Sequence, residues 1–171
     1  MRVLNKIIPY EHLVAWRNNL PASGAPLVVT NGCFDILHPG HLYLLDQARG
    51  LGNALLVGLT GDTAIRALKG PGRPTLPERD RLLLLCSLEP VTHVCLFPEV
   101  NAVSFVEKSR PHIYVKGGDY TLETINPSER RALEGLNAQI KIIPRFEDQS
   151  TSAILQRVLN RAGFSSTPHS S

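Results

Sequence analysis

His38 and His41 stand three positions apart in TNGCFDILHPGH, with Pro39 and Gly40 between them. An imidazole near neutral pH can donate a hydrogen bond or carry positive charge. Two of them at a loop-to-helix junction can grip phosphate oxygens and stabilise the charge that builds during attack on phosphorus. The junction itself attracts anions, because the first backbone N–H groups of a helix lack partners and its dipole is positive there. Gly40 leaves room for a nucleotide to lie against the backbone. A metal would need a third ligand, and none stands at a suitable spacing. The remaining plain reading, a structural histidine pair, sits poorly with a place between Gly32 and Gly40 at a strand–helix turn.

Such a pair needs a strand before it and a helix behind it. LVVTN (27–31) is rich in β-branched residues and bounded by Pro26 and Gly32, which predicts a buried strand. From Pro39 to Leu51 the apolar residues Leu42, Leu45, Ala48 and Leu51 fall on one helical face, and Gly52 stops it. Further strands are predicted at 54–60, 93–97, 112–118 and 139–144, and helices at 10–20, 77–88, 101–109, 128–137 and 150–160. GDTAIRALKGPGRPTL, with its glycines and prolines, reads partly as a mobile loop. Strands alternating with helices five times predict an α/β fold: a Rossmann-like, doubly wound, parallel five-stranded sheet with flanking helices. Ligands in such sheets bind outside the carboxyl ends of the strands, where strand order reverses.

The 171 residues suffice for one compact domain, expected over 1–161, with a polar, disordered tail at 162–171. The net charge of +3 argues against a nucleic-acid scaffold and suits small anionic substrates. Cys33, Cys86 and Cys95 match no metal or disulfide spacing, and Cys86 and Cys95 lie in apolar runs. Free thiols point to a reducing, cytoplasmic setting. No apolar stretch approaches the ~20 residues of a bilayer span, and the first residues do not resemble a signal peptide.

TNGCFDILHPGH resembles the HxGH signature of the nucleotidyltransferase superfamily, on its cytidylyltransferase-like branch. The runs LKGPGRP, VKGGDYT and FEDQSTSAI follow in the order seen in bacterial D-glycero-β-D-manno-heptose 1-phosphate adenylyltransferases, and the likeness extends over roughly residues 5–160. It implies transfer of AMP from ATP to a heptose 1-phosphate, giving ADP-heptose and pyrophosphate for lipopolysaccharide synthesis. It also implies Mg²⁺ arriving with ATP, held by phosphates and water, a homodimer, and a separate sugar kinase supplying the substrate. The alternative is a cytidylyltransferase for glycerol 3-phosphate or another small phosphorylated alcohol. A catalytically silent nucleotide-binding module is disfavoured by the intact His38, His41 and Lys69.

The resemblance also assigns roles. His38, His41 and Lys69 are expected to act on the triphosphate, with Lys69 a clamp in the LKGPGR loop. Asn31, Gly32, Cys33, Phe34 and Gly40 would wall the nucleotide, joined by Lys116, Gly118 and Asp119 at the end of the fourth strand. Taken alone, the Gly117–Gly118 pair is a tight turn; its place at a strand's carboxyl end favours binding. Arg73 and Arg81 would hold the acceptor phosphate, with Arg79 a neighbouring candidate. Ser150, Thr151 and Ser152 offer hydroxyls and free amides to a β- or γ-phosphate, and can also cap the last helix. The family's usual run here is close to STT, so STS is a mild departure. Arg145 is a second departure, shared instead with glycerol 3-phosphate cytidylyltransferases, and could reach either triphosphate. Asp35 is expected to fix the turn by hydrogen bonding rather than to do chemistry.

Overall fold

A computed structural model describes residues 2–21, 26–118, 120–146 and 150–161. Asp119 and the 162–171 tail lie outside the described residues. Five parallel strands form one sheet: β1 (Leu27–Gly32), β2 (Ala54–Thr60), β3 (His93–Phe97), β4 (Ile113–Gly117) and β5 (Gln139–Ile143). Their order is β3-β2-β1-β4-β5. β1 pairs with β2 on one side and β4 on the other, so the winding direction reverses at β1/β4. This is the doubly wound α/β sheet the alternation predicts.

The helices are α1 (Leu13–Asn18), α2 (Pro39–Arg49), α3 (Asp62–Lys69), α4 (Glu78–Ser87), α5 (Val103–Ser109), α6 (Pro127–Gly135) and α7 (Thr151–Arg161). The helix expected over 10–20 is split into a 3₁₀ turn at Tyr10–His12 and the short α1. The larger difference is α3. It occupies half of the segment read partly as loop, and it buries Ala64 and Ile65. The glycines and prolines that suggested a loop all lie after Lys69, apart from Gly61 at the helix's N-cap.

Side chains alternate along each strand, so the two faces build separate cores. Leu27, Val29, Leu56, Phe97 and Tyr114 pack with Leu13, Phe105 and Leu133, beneath α1, α5 and α6. Val28, Leu55, Val57, Leu59 and Val115 pack with Leu45, Ala48, Leu85 and Cys86 from α2 and α4. Before α1 the chain runs along the outer edge of β3, where the Ile8 amide donates to the Val94 carbonyl (2.9 Å). That covers an edge otherwise open to pairing with another chain.

Candidate active site

β1 ends at Gly32, and the chain must turn sharply before α2 begins. Phe34 takes up that turn with φ of 44°, a left-handed conformation rare for a bulky residue. Its ring is buried against Gly32, where a Cβ would lie 3.1 Å from the ring. Residues held this way cluster at ligand sites, because the surrounding structure must over-determine them.

His38 is the N-cap of α2 and is extended (φ −146°, ψ 165°), with Pro39 in the first helical turn. Its carbonyl accepts from the His41 amide at 2.9 Å, so both imidazoles rise from one helical turn. The rings lie close together, tilted by 30° with centroids 3.8 Å apart, and Phe34 flanks His41 at 5.1 Å. A Cβ on Gly40 would stand 3.1 Å from the His38 ring, so glycine is what lets that ring lie over the helix start. Both Nδ1 atoms are buried without a hydrogen-bond partner among the described residues. Burial, then the charges of His38 and Lys69, pushes His41 down to about 4. Burial, then Arg145, lowers His38 as well. Above pH 5 His41 is therefore neutral in the free protein, able to donate a hydrogen bond and ready to take up a proton when negative charge arrives.

The two histidines open into a cavity of about 550 Å³ at the β1/β4 reversal. Asn31, Gly32, Cys33, Phe34, His38, Gly40 and His41 line it from the β1–α2 side. Lys69, at the last turn of α3, joins them, as do Lys116, Gly117 and Gly118 from the end of β4 and Arg145 and Ser150 beyond β5. Sequence reasoning assigned no site role to Leu44, Tyr120, Thr124, Pro144 and Phe146, which also line it. Phe146 stacks on Tyr43 with centroids 4.9 Å apart. Tyr120 and Phe146 belong to the VKGGDYT and FEDQSTSAI runs, but nothing in those runs marks either as lining the site; only the topology shows that the turns after β4 and β5 meet α2.

Lys116 is 7% exposed, and its ammonium donates to the Asn31 side-chain oxygen at 2.7 Å. The Tyr114 hydroxyl donates to the same oxygen at 2.6 Å. Glu129 of α6 lies 3.5 Å from the ammonium and accepts from the Ala102 amide at 2.9 Å. Neither Tyr114 nor Glu129 was a predicted site residue.

Asp35 is 4% exposed and accepts from the Arg73 guanidinium (2.8 Å) and the Thr75 and Leu76 amides (2.7 and 3.1 Å). Burial pushes its carboxyl up, but Arg73 and those amides outweigh it and hold it below the usual carboxylate range. Its role is the structural one expected, although it fixes the 73–76 segment rather than its own turn. Arg73 also reaches the Ser152 hydroxyl at 3.5 Å, tying that segment to α7. The STS run divides its work. Ser150 caps α7 by accepting from the Ala153 amide (3.1 Å) and lines the cavity. Thr151 donates to the Ile36 carbonyl (3.4 Å).

Arg81 requires a correction. It was expected on the acceptor phosphate, yet it is 1% exposed and does not line the cavity. Its guanidinium donates to the carbonyls of Leu76, Cys33 and Thr60 and to the Asp62 carboxylate, at 2.5–3.0 Å. Thr60 ends β2, Cys33 follows the end of β1 and Leu76 precedes α4, so their carbonyls meet where the chain leaves the sheet, and a buried, forked cation satisfies all three at once. Arg81 is a clamp behind the site. Lys69 is also relocated, from a loop to the last turn of a helix.

Among the described residues, no group of three or more His, Cys, Asp or Glu side chains could hold a metal ion. No helix among them is long and apolar enough to cross a membrane.

Known proteins resemble this chain in sequence and in fold. The family model described as cytidylyltransferase-like matches residues 29–168. The bifunctional protein HldE of Trichlorobacter lovleyi is 38% identical over 160 residues, which cover 94% of this chain and 31% of that protein. HldE of Helicobacter pylori is 40% identical, over 90% of this chain and 31% of its own length. The chain thus spans about a third of these curated relatives. The lipopolysaccharide core biosynthesis protein of Thermoplasma volcanium superposes with a TM-score of 0.59 at 28% identity, over 74% of this chain and all of that one. A pantoate–β-alanine ligase of Francisella tularensis shares the fold at a TM-score of 0.55 and 14% identity, over 85% of this chain and 68% of that one. The resemblance read from TNGCFDILHPGH is borne out: the chain belongs to the cytidylyltransferase-like family.

Proposed function

We propose that this chain transfers the adenylyl group of ATP to the phosphate of D-glycero-β-D-manno-heptose 1-phosphate, releasing pyrophosphate. The observation that carries this reading is the close imidazole pair at the amino end of α2, facing a cavity that Lys69, Lys116 and Arg145 also line. An oxygen of the sugar phosphate attacks the α-phosphorus of ATP. The bond from that phosphorus to the oxygen bridging to the β-phosphate breaks, and the electron pair leaves with pyrophosphate. The attacking phosphate is already ionised, so the site needs alignment and charge neutralisation rather than a strong base. His38 and His41 donate to triphosphate oxygens, and Lys69 neutralises charge as it moves onto the leaving group. Asn31, Gly32, Cys33, Phe34, Gly40, Gly118, Arg145 and Ser150 are placed to wall the nucleotide.

Mg²⁺ fits this chain as a companion of ATP. The one carboxylate in the β1–α2 turn, Asp35, has both oxygens engaged by Arg73, Thr75 and Leu76. Phosphates and water then supply the ligands, as is usual for this ion. The HldE relatives and the lipopolysaccharide core protein support the heptose reading. The same reading gives a cytoplasmic homodimer, supplied by a kinase that phosphorylates the sugar at its anomeric oxygen.

The test is pyrophosphate release across the four nucleoside triphosphates and a panel of acceptors. Turnover with ATP and heptose 1-phosphate is the expected result. Turnover only with CTP and glycerol 3-phosphate would replace this assignment with the cytidylyltransferase one.

A further inference from the structure

The Asn31 carboxamide is held in a way that fixes which end faces the ligand. Its neighbour at 2.7 Å is the Lys116 ammonium, which carries only donors. The atom beside it must be the amide oxygen, so the assignment of oxygen and nitrogen follows from chemistry. That oxygen also accepts from Tyr114 at 2.6 Å, which uses both of its lone pairs. Among the described residues no hydrogen bond engages the Asn31 nitrogen, and Asn31 lines the cavity.

We propose that Glu129, Lys116 and Tyr114 form a buried positioning set that locks the Asn31 oxygen inward, so that its NH₂ is offered to a phosphoryl or hydroxyl oxygen of the bound substrates. The inference rests on the adenylyl-transfer reading and adds residues to it. Glu129 is the root of the set. Burial lowers Lys116, and Glu129 opposes this and favours the charged amine. A neutral amine could accept as well as donate, and the amide would then be free to turn over. The other groups facing Lys116 are Tyr120, with its ring 5.1 Å away, Tyr114 on its own strand, and Cys33 from the β1 end. Burial and then Glu129 raise Tyr114 well above the usual phenol range, so its hydroxyl stays a donor.

Asn31→Asp tests this most cleanly. The carboxylate can still accept from both Lys116 and Tyr114, so the melting temperature holds or rises. The donor facing the ligand becomes an acceptor, and a KM should rise by about 10- to 100-fold, the scale of a hydrogen bond to a charged group. A rise for the sugar phosphate alone places the contact there; a rise for ATP alone places it on the nucleotide. Tyr114→Phe should raise the same KM and not the other. In Glu129→Gln the alkaline limb of kcat/KM moves to lower pH. Each is read on whichever substrate pair the wild type turns over, so failure of the adenylyl-transfer reading appears in the wild type itself. Independently of turnover, the Asn31 side-chain NH₂ resonance should shift when ATP or heptose 1-phosphate is added. The proposal is overturned if Asn31→Asp keeps both KM values and kcat within twofold of wild type. It is equally overturned by an NH₂ resonance that neither compound moves.

Discussion

At the scale of single residues, the site works by withholding partners. The Nδ1 atoms of His38 and His41 are buried and unpaired among the described residues, a costly arrangement that an anionic ligand can relieve. His41→Ala should lower kcat by ~10²–10³-fold with the fold intact, the usual scale for losing a transition-state donor. Turnover near the wild-type value would make His41 structural. Because His41 is depressed to about 4 in the free protein, a bound triphosphate must raise it. Between the free and bound values, ATP binding takes up protons. Calorimetry at pH 5.5 in two buffers of different ionisation enthalpy should show that uptake, and identical heats would contradict it. The histidine pair was legible in the sequence because its spacing and place at a turn carry the chemistry. The role of Arg81 was not, because an arginine among the charged residues of a helix's first turn gives no sign of whether it faces substrate or buried backbone carbonyls.

At the scale of elements, the start of α2 and the α3–α4 connection set the geometry. Gly40→Ala should keep or slightly raise stability, since alanine is favoured over glycine inside a helix by about 0.5–1 kcal/mol. Its Cβ would press on the His38 ring at 3.1 Å, so kcat should drop about tenfold or more. Full activity in this variant would mean that the ring position is unimportant. Arg81→Ala should instead act on stability, costing about 3–5 kcal/mol because Asp62 and three carbonyls lose a buried cation. Urea denaturation measures this, and an unchanged midpoint with lost activity would return Arg81 to the site. The strands were legible because each is a short, mostly apolar run set between helical segments, β-branched in β1 and β5 and leucine-rich in β2. α3 was obscured by the glycine- and proline-rich stretch that follows it. Its Asp62 start and its Ala64, Ile65 and Leu68 spacing were the signal to use.

At the scale of the whole molecule, folding places four histidines where charge is disfavoured. Burial, as the leading cause, lowers His38, His41, His93 and His112 below their ordinary value. The unfolded chain therefore binds more protons than the folded one as pH falls below about 6.5, so stability rises with pH across that range. It is fully present at neutrality and is lost progressively on acidification. Asp35, also lowered in the folded state, adds a further loss at still lower pH. Chemical denaturation at pH 7.5 and pH 5 should show the lower midpoint at pH 5; equal midpoints would contradict the burial of these rings. The sheet order and the reversal at β1/β4 then account for why residues from opposite ends of the chain, His38 and Ser150 among them, share one cavity. The most direct measurement of that assembly is a crystal structure with Mg²⁺ and a non-hydrolysable ATP analogue. The triphosphate should lie within hydrogen-bond distance of both the His38 and His41 rings, inside the cavity at the end of β1. A nucleotide seated elsewhere, with both imidazoles untouched, would contradict the account.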